Sequence, residues 1–112
     1  MNWQWLTGFY EGEGCAGCYK FTRRNKYKLV AQLAQSNKNI LLKIKDFLKV
    51  SNIWKGRKTL AGSQMYHLTL QSAKARWFLN KILPYCQHPC KIKQIKKALQ
   101  LDKKYVKPQR RK

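Results

Sequence analysis

The stretch Leu6-Thr7-Gly8-Phe9-Tyr10-Glu11-Gly12-Glu13-Gly14 decides the fold. Leu6, Phe9 and Tyr10 fall at i, i+3 and i+4, the spacing of one apolar helix face. Gly8 and Gly12 are four apart and share a face, where the missing Cβ lets a second backbone come very close. Gly14 supplies a helix stop. Glu13 is therefore carried to the end of a close-packed helix, where it projects into a solvent-filled cleft. Glu11 and Glu13 are two of only four acidic residues in the chain. A negative charge at a helix C-terminus opposes the helix dipole, so Glu13 is not placed there for helix stability. The bland alternative makes both glutamates ordinary solvated helix-end residues.

Around this stretch the chain is strongly basic. Its 112 residues carry 25 Lys and Arg against four acids, a net charge of +21. Such self-repulsion calls for an anionic partner, and nucleic acid is the first candidate. An anionic membrane surface comes second, but no apolar run is long enough to span a bilayer. The N-terminus has no charged–apolar–small leader pattern. A hydrophobic content of 44% with clear periodicities points to a folded domain, not a disordered basic tail. The length suits one domain with a small core: residues 1–102, followed by a basic tail, 103–112. Cys15, Cys18, Cys86 and Cys90, with His88 nearby, have spacings that suit a zinc site. Small buried thiols in a reducing interior are the favoured reading, because Cys15 and Cys18 fall in a strand. An organelle, a nucleus or a bacterial cytosol fits equally.

Taken in order, Trp3 and Trp5 are packing residues leading into the first helix. Residues 15–22 read as a strand of undecided register, 23–26 as a basic turn and 27–35 as a second strand. In the latter, Leu29, Ala31 and Leu33 alternate against Lys28, Val30, Gln32 and Ala34. Ser36 or Asn37 caps a second helix with Ile40, Leu41, Ile44, Phe47 and Leu48 on one side. Residues 52–58 form a weaker strand, 61–63 a turn and 64–71 a fourth strand. There Tyr66, Leu68 and Leu70 oppose Met65, His67 and Thr69. Ser72 caps a third helix that Pro84 ends, and Pro89 opens a fourth.

This order, and the opening stretch, resemble the single-motif LAGLIDADG homing endonucleases over roughly residues 3–100. Leu6, Gly8 and Gly14 coincide with the motif's Leu and its first and last Gly. Gly12 takes the place of a small residue, and Glu11 and Glu13 take those of the two acids. The resemblance implies an α+β fold of order αββαββαα, a saddle-shaped antiparallel sheet with helices on one face. It implies a homodimer with Leu6, Gly8, Phe9 and Gly12 at the two-fold axis. It further implies a site-specific, Mg2+-dependent endonuclease that cuts both strands of a long, nearly palindromic site and is typically intron-encoded. The alternative is a LAGLIDADG-fold protein that no longer cuts and serves as an RNA maturase or DNA-binding regulator. A basic protein that coats RNA is a third reading.

By the same resemblance Glu13 is the metal ligand, assisted by the Gly12 carbonyl, and Glu11 is structural. Glutamate replaces the family's usual aspartate and reaches one methylene further. Gln35 matches a water-organising glutamine, although it equally suits a neighbour of a helix cap. Lys74 falls near a pocket lysine that stabilises phosphate charge, and equally suits a solvated helix start. The open sheet face is expected to lie in the major groove of double-stranded DNA. Lys28, Gln32, His67 and Thr69 alternate outward. Arg23, Arg24 and Lys26 occupy the first hairpin tip with Lys20 beside it, and Lys55, Arg57 and Lys58 belong to the second hairpin. Most lysines there serve phosphate and carry no sequence information.

Overall fold

A computed structural model of the chain describes residues 1–21, 26–50 and 53–105, with the side chains of Phe21 and Lys26 excepted. The order is α1 (Trp3–Glu13), β1 (Gly14–Phe21), β2 (Lys26–Gln35), α2 (Lys38–Leu48), β3 (Ile53–Lys58), β4 (Gln64–Gln71), α3 (Ser72–Ile82), a 3-10 turn (Leu83–Tyr85) and α4 (Pro89–Tyr105). The four strands form one antiparallel sheet in the order β1-β2-β4-β3. This is the expected α+β architecture.

Alternation fixes which face of the sheet is covered. Leu29, Ala31 and Leu33 of β2 and Leu68 and Leu70 of β4 are buried with Leu6 and Tyr10 of α1, Leu41, Ile44 and Leu48 of α2, and Phe78, Leu79 and Ile82 of α3. Each fully buried aliphatic side chain contributes about 1.5–3 kcal/mol relative to exposure, so this one-sided core selects the strand register. In β1 the pairs Ala16↔Ala31, Cys18↔Leu29 and Lys20↔Tyr27 place the even residues toward the helices. The pairs Cys15↔Gln32, Gly17↔Val30 and Tyr19↔Lys28 lie on the open face.

The caps show where local chemistry decided. Asn2 Oδ1 accepts from the Trp5 N–H at 2.8 Å and opens α1. Asn37, not Ser36, caps α2, accepting from the Asn39 N–H at 3.0 Å. Ser72 does not cap α3. Gln71 holds the cap position without a side-chain bond, and Ser72 is the first helical residue, with φ 56°, a left-handed conformation uncommon outside glycine. His88 precedes α4, and its Nδ1 accepts from the Cys90 N–H at 3.2 Å. α4 continues as helix through Tyr105, which stacks on Tyr27 with ring centroids 4.3 Å apart. Residues 106–112 lie outside the described residues.

Gly14 ends α1, but not by the left-handed turn expected of a helix-stop glycine. Its backbone is extended, and it is already the first residue of β1. Glycine is required there because a Cβ would lie 2.9 Å from the Tyr10 carbonyl oxygen and closer still to the Tyr10 ring. The helix therefore turns directly into the sheet and sets Glu13 at the junction.

Candidate active centre and nucleic-acid interface

Glu13 is exposed at the last turn of α1. Helix-end carbonyls lack intrahelical partners and carry partial negative charge. Among the described residues no ion pair neutralises Glu13, and no group of three His, Cys, Asp or Glu gathers to hold a metal. The junction thus offers one exposed carboxylate together with the carbonyls of the helix end, Gly12 among them. That all-oxygen set fits a hard divalent cation that keeps waters and takes phosphate oxygens, as Mg2+ does. It does not suit zinc. Cys15 and Cys18 lie on opposite faces of β1, Cys86 is buried and all four thiols are free.

Glu11 has a different task. Its Oε2 accepts from the backbone N–H groups of Gln87 at 2.7 Å and His88 at 2.5 Å, holding the entrance of α4 against the end of α1. Gln94 of α4 adds a second tie: its Oε1 accepts from the Ala16 N–H at 3.1 Å and from the Tyr10 hydroxyl at 3.4 Å. Burial raises the Tyr10 phenol far above its ordinary value, with nearby thiols adding to the effect, so it remains a donor.

Gly14 pairs with Leu33, so Glu13 and Gln35 leave the sheet at the same end. Gln35 Oε1 accepts from its neighbour Ser36, at 2.9 Å from N and 3.3 Å from Oγ. Lys74 is not brought to this end. It follows Gln71, which pairs with Val30, whereas Gln35 pairs with Tyr66 at the opposite end of the β4 ladder. Lys74 sits over the Trp77 ring at 4.9 Å and borders a cavity of about 840 Å³ with Lys49, Trp54 and Thr69. The lysine that does reach the end of α1 is Lys91, in the first turn of α4. Its Nζ donates to the Gly14 carbonyl and lies 5.7 Å from the Tyr10 ring centre. The separation of 77 positions and the many other lysines leave no sequence signal for that meeting.

Of the four residues expected at a two-fold axis, Leu6 is fully buried in this chain's own core and cannot serve there. It shares the inward stripe with Tyr10, four residues on. Gly8 and Gly12 are exposed, and a Cβ on either would meet nothing within 4 Å. Phe9 is half-buried and stacks on Trp5, with centroids 5.5 Å apart and planes within 10°. Trp5 is 47% exposed, so it packs at the surface and not in the core. α1 thus presents a bare strip of glycines flanked by aromatic surface.

On the open face, Lys28, Gln32, His67 and Thr69 stand where alternation places them. Lys28 Nζ donates to Gln71 Oε1 at 3.3 Å. Lys20 and Lys55 do not belong to that face. They pair with Tyr27 and Tyr66, on the helix side. An irregularity between Lys55 and Lys58 breaks the alternation around the exposed Arg57, and Lys58 pairs with Gln64. Arg23, Arg24 and the Lys26 side chain lie outside the described residues. Trp54 and Tyr19, exposed at 47% and 55%, add aromatic surface to this face that alternation alone did not assign.

The model of the LAGLIDADG endonuclease family matches residues 6–106. Among solved structures, the homing endonuclease I-CvuI in complex with its target is 27% identical with a TM-score of 0.71, over 92% of this chain and 66% of that one. This chain thus spans just under two thirds of the length of I-CvuI. I-CpaMI bound to uncleaved DNA shares the fold at 21% identity and a TM-score of 0.71, over 93% and 39% of the two chains. The archaeal intron-encoded I-Vdi141I complexed with DNA shares it at 20% and 0.62, over 98% and 87%. No curated protein sequence matches the chain. With the family model covering nearly all of its length, the chain belongs to the LAGLIDADG endonuclease family.

Proposed function

We propose that the protein is a homodimeric, divalent-metal-dependent endonuclease that cuts both strands of a long, nearly palindromic DNA site. The observation that carries this reading is the junction of α1 with β1. An exposed, unneutralised Glu13 stands at the end of a helix whose Gly8 and Gly12 are bare on the outside. A second copy packed along that strip brings two Glu13 carboxylates together, one for each strand.

Glu13 and the Gly12 carbonyl are the groups suited to hold Mg2+. The bound metal supplies charge neutralisation at the phosphate and activation of water. Gln35, leaving the sheet at the same end, orients the attacking water. Lys91 replaces Lys74 as the cation facing the charge that develops on phosphate. The open face of β1, β2, β3 and β4 lies in the major groove, wide enough for a two-stranded ribbon. The strongly basic composition supplies phosphate affinity that weakens with salt.

Glu13→Gln tests the assignment. It keeps the size of the side chain and removes the charge. Cleavage of a selected duplex in Mg2+ should be abolished while binding in Ca2+ persists. A variant that still cuts overturns the role of Glu13. A wild-type protein that binds the duplex and never cuts it establishes the non-cleaving alternative.

A further inference from the structure

Four side chains from three strands form a connected network on the open face. Gln32 Nε2 and His67 Nδ1 lie 2.9 Å apart. The His67 ring stacks on the Trp54 indole, with centroids 4.3 Å apart and planes within 17°. Trp54 Nε1 donates to Thr69 Oγ1 at 2.9 Å, and Thr69 stands directly across from Gln32. Against the imidazole edge lies Gly56, where a Cβ would overlap Nε2 and Cδ2 of the ring. The ring is thus held by an amide, an indole plane and a glycine backbone.

We infer that His67 is a positioning residue that fixes how Gln32 presents its amide to a base edge, and that the reader so formed selects adenine. The inference rests on the open face being the DNA surface. The Gln32 amide has two N–H groups. Nε2 lies within reach of Nδ1 of the imidazole and can donate one of them there. On this inference the edge formed by Oε1 and the other N–H goes to the base. Adenine presents an N6 amine donor beside an N7 acceptor in the major groove, the complement of that edge. Without the imidazole, rotation about the broad terminal torsion of glutamine offers the donor and acceptor in either order. The Trp54 N–H is committed to Thr69, which leaves the threonine hydroxyl proton free to donate outward beside the amide.

The test is selection of bound duplexes from a randomised pool by the full chain in Ca2+ buffer. His67→Phe keeps an aromatic ring against Trp54 and removes Nδ1. Gly56→Ala keeps all four network residues and displaces the ring. The wild type should show adenine at symmetry-related positions whose preference Gln32→Ala removes. His67→Phe and Gly56→Ala should lower that preference about 5- to 100-fold and leave the other positions of the consensus unchanged. In the Gln32→Ala background, His67→Phe should change nothing further at those positions. A His67→Phe consensus identical to that of the wild type overturns the inference and leaves the endonuclease reading standing. A pool with no consensus, or enrichment of single strands over duplex, overturns both.

Discussion

The Lys91 ammonium donates to the carbonyl of Gly14, the residue that follows Glu13. A cation from α4 therefore reaches the junction that carries Glu13, although the chain runs through the whole sheet between them. Lys74, which falls near the family's pocket lysine in the sequence, stands beyond the other end of the β4 ladder. The two lysines separate cleanly by mutation. On the proposed endonuclease activity, Lys91→Met should lower single-turnover cleavage about 100-fold or more, the scale of losing one preorganised charge-stabilising donor. Lys74→Met should leave the chemical step near wild type and weaken binding only through net charge. Equal losses in the two variants would return Lys74 to the active centre.

How much was legible follows from how far each feature depends on partners distant in sequence. The amphipathic stripes of α1 and α2 and the alternation of β2 and β4 are local, and they hold in the structure. The face of β1 is not local. Small residues populate both sides of that strand and carry no preference for either, so only pairing with β2 puts Tyr19 outward and Lys20 inward. β3 loses its alternation at the irregularity after Lys55. The distance of Lys74 from Gln35 has a topological reason. With β4 antiparallel to β2, the end of β4 lies beside the interior of β2 and not beside Gln35. Glu11 came out as structural, and its partners, two N–H groups ahead of α4, explain the assignment.

The glycines of the motif should divide into two classes. Gly14→Ala forces a Cβ into the Tyr10 ring, an overpacking that costs about 1–3 kcal/mol. Gly8→Ala and Gly12→Ala have open space within the chain and remove a helix-interior glycine, which raises the stability of the single chain by about 0.5–1 kcal/mol. On the proposed homodimer, the larger Gly8→Val should shift the protein to monomer. Urea melts with sedimentation measured in parallel distinguish these effects, and an unchanged dimer in Gly8→Val moves the interface elsewhere.

Asp102 should be the acid most important to stability. It is 4% exposed and receives both Arg76 Nε at 2.6 Å and a second guanidinium nitrogen at 3.0 Å, which ties α4 to α3. The Asp102 hydrogen bond and charge raise the Arg76 pKa further, against a smaller opposing effect of burial. Because the Arg76 side chain is 41% exposed, water relieves part of the loss when its partner is removed. Asp102→Ala should therefore cost about 1.5–3 kcal/mol, the range for hydrogen bonds to charged groups. A urea midpoint matching wild type would show that the pair contributes nothing.

The thiols give a pH-dependent reading of the packing under α1. Cys86 is buried beside the end of α1, and burial, helped by the negative charge of Glu11, pushes its pKa from 9.0 up to about 11. Burial also raises Cys18, with Asp102 adding to it. Cys15 and Cys90 are exposed. At pH 8 a thiol reagent should consume Cys15 and Cys90 first, Cys18 more slowly, and Cys86 last, because the thiolate is the reacting form. The linkage has a definite sign. Between pH 9 and about 11 the unfolded chain releases the Cys86 proton while the folded chain keeps it, so this thiol's contribution to stability falls as pH rises through that window. Comparing wild type with Cys86→Ala isolates the effect of this thiol from that of every other group. The stability difference between the two should shrink as pH rises from 9 to 11. A difference that stays constant would mean that Cys86 ionises equally in both states and is not held in an apolar site.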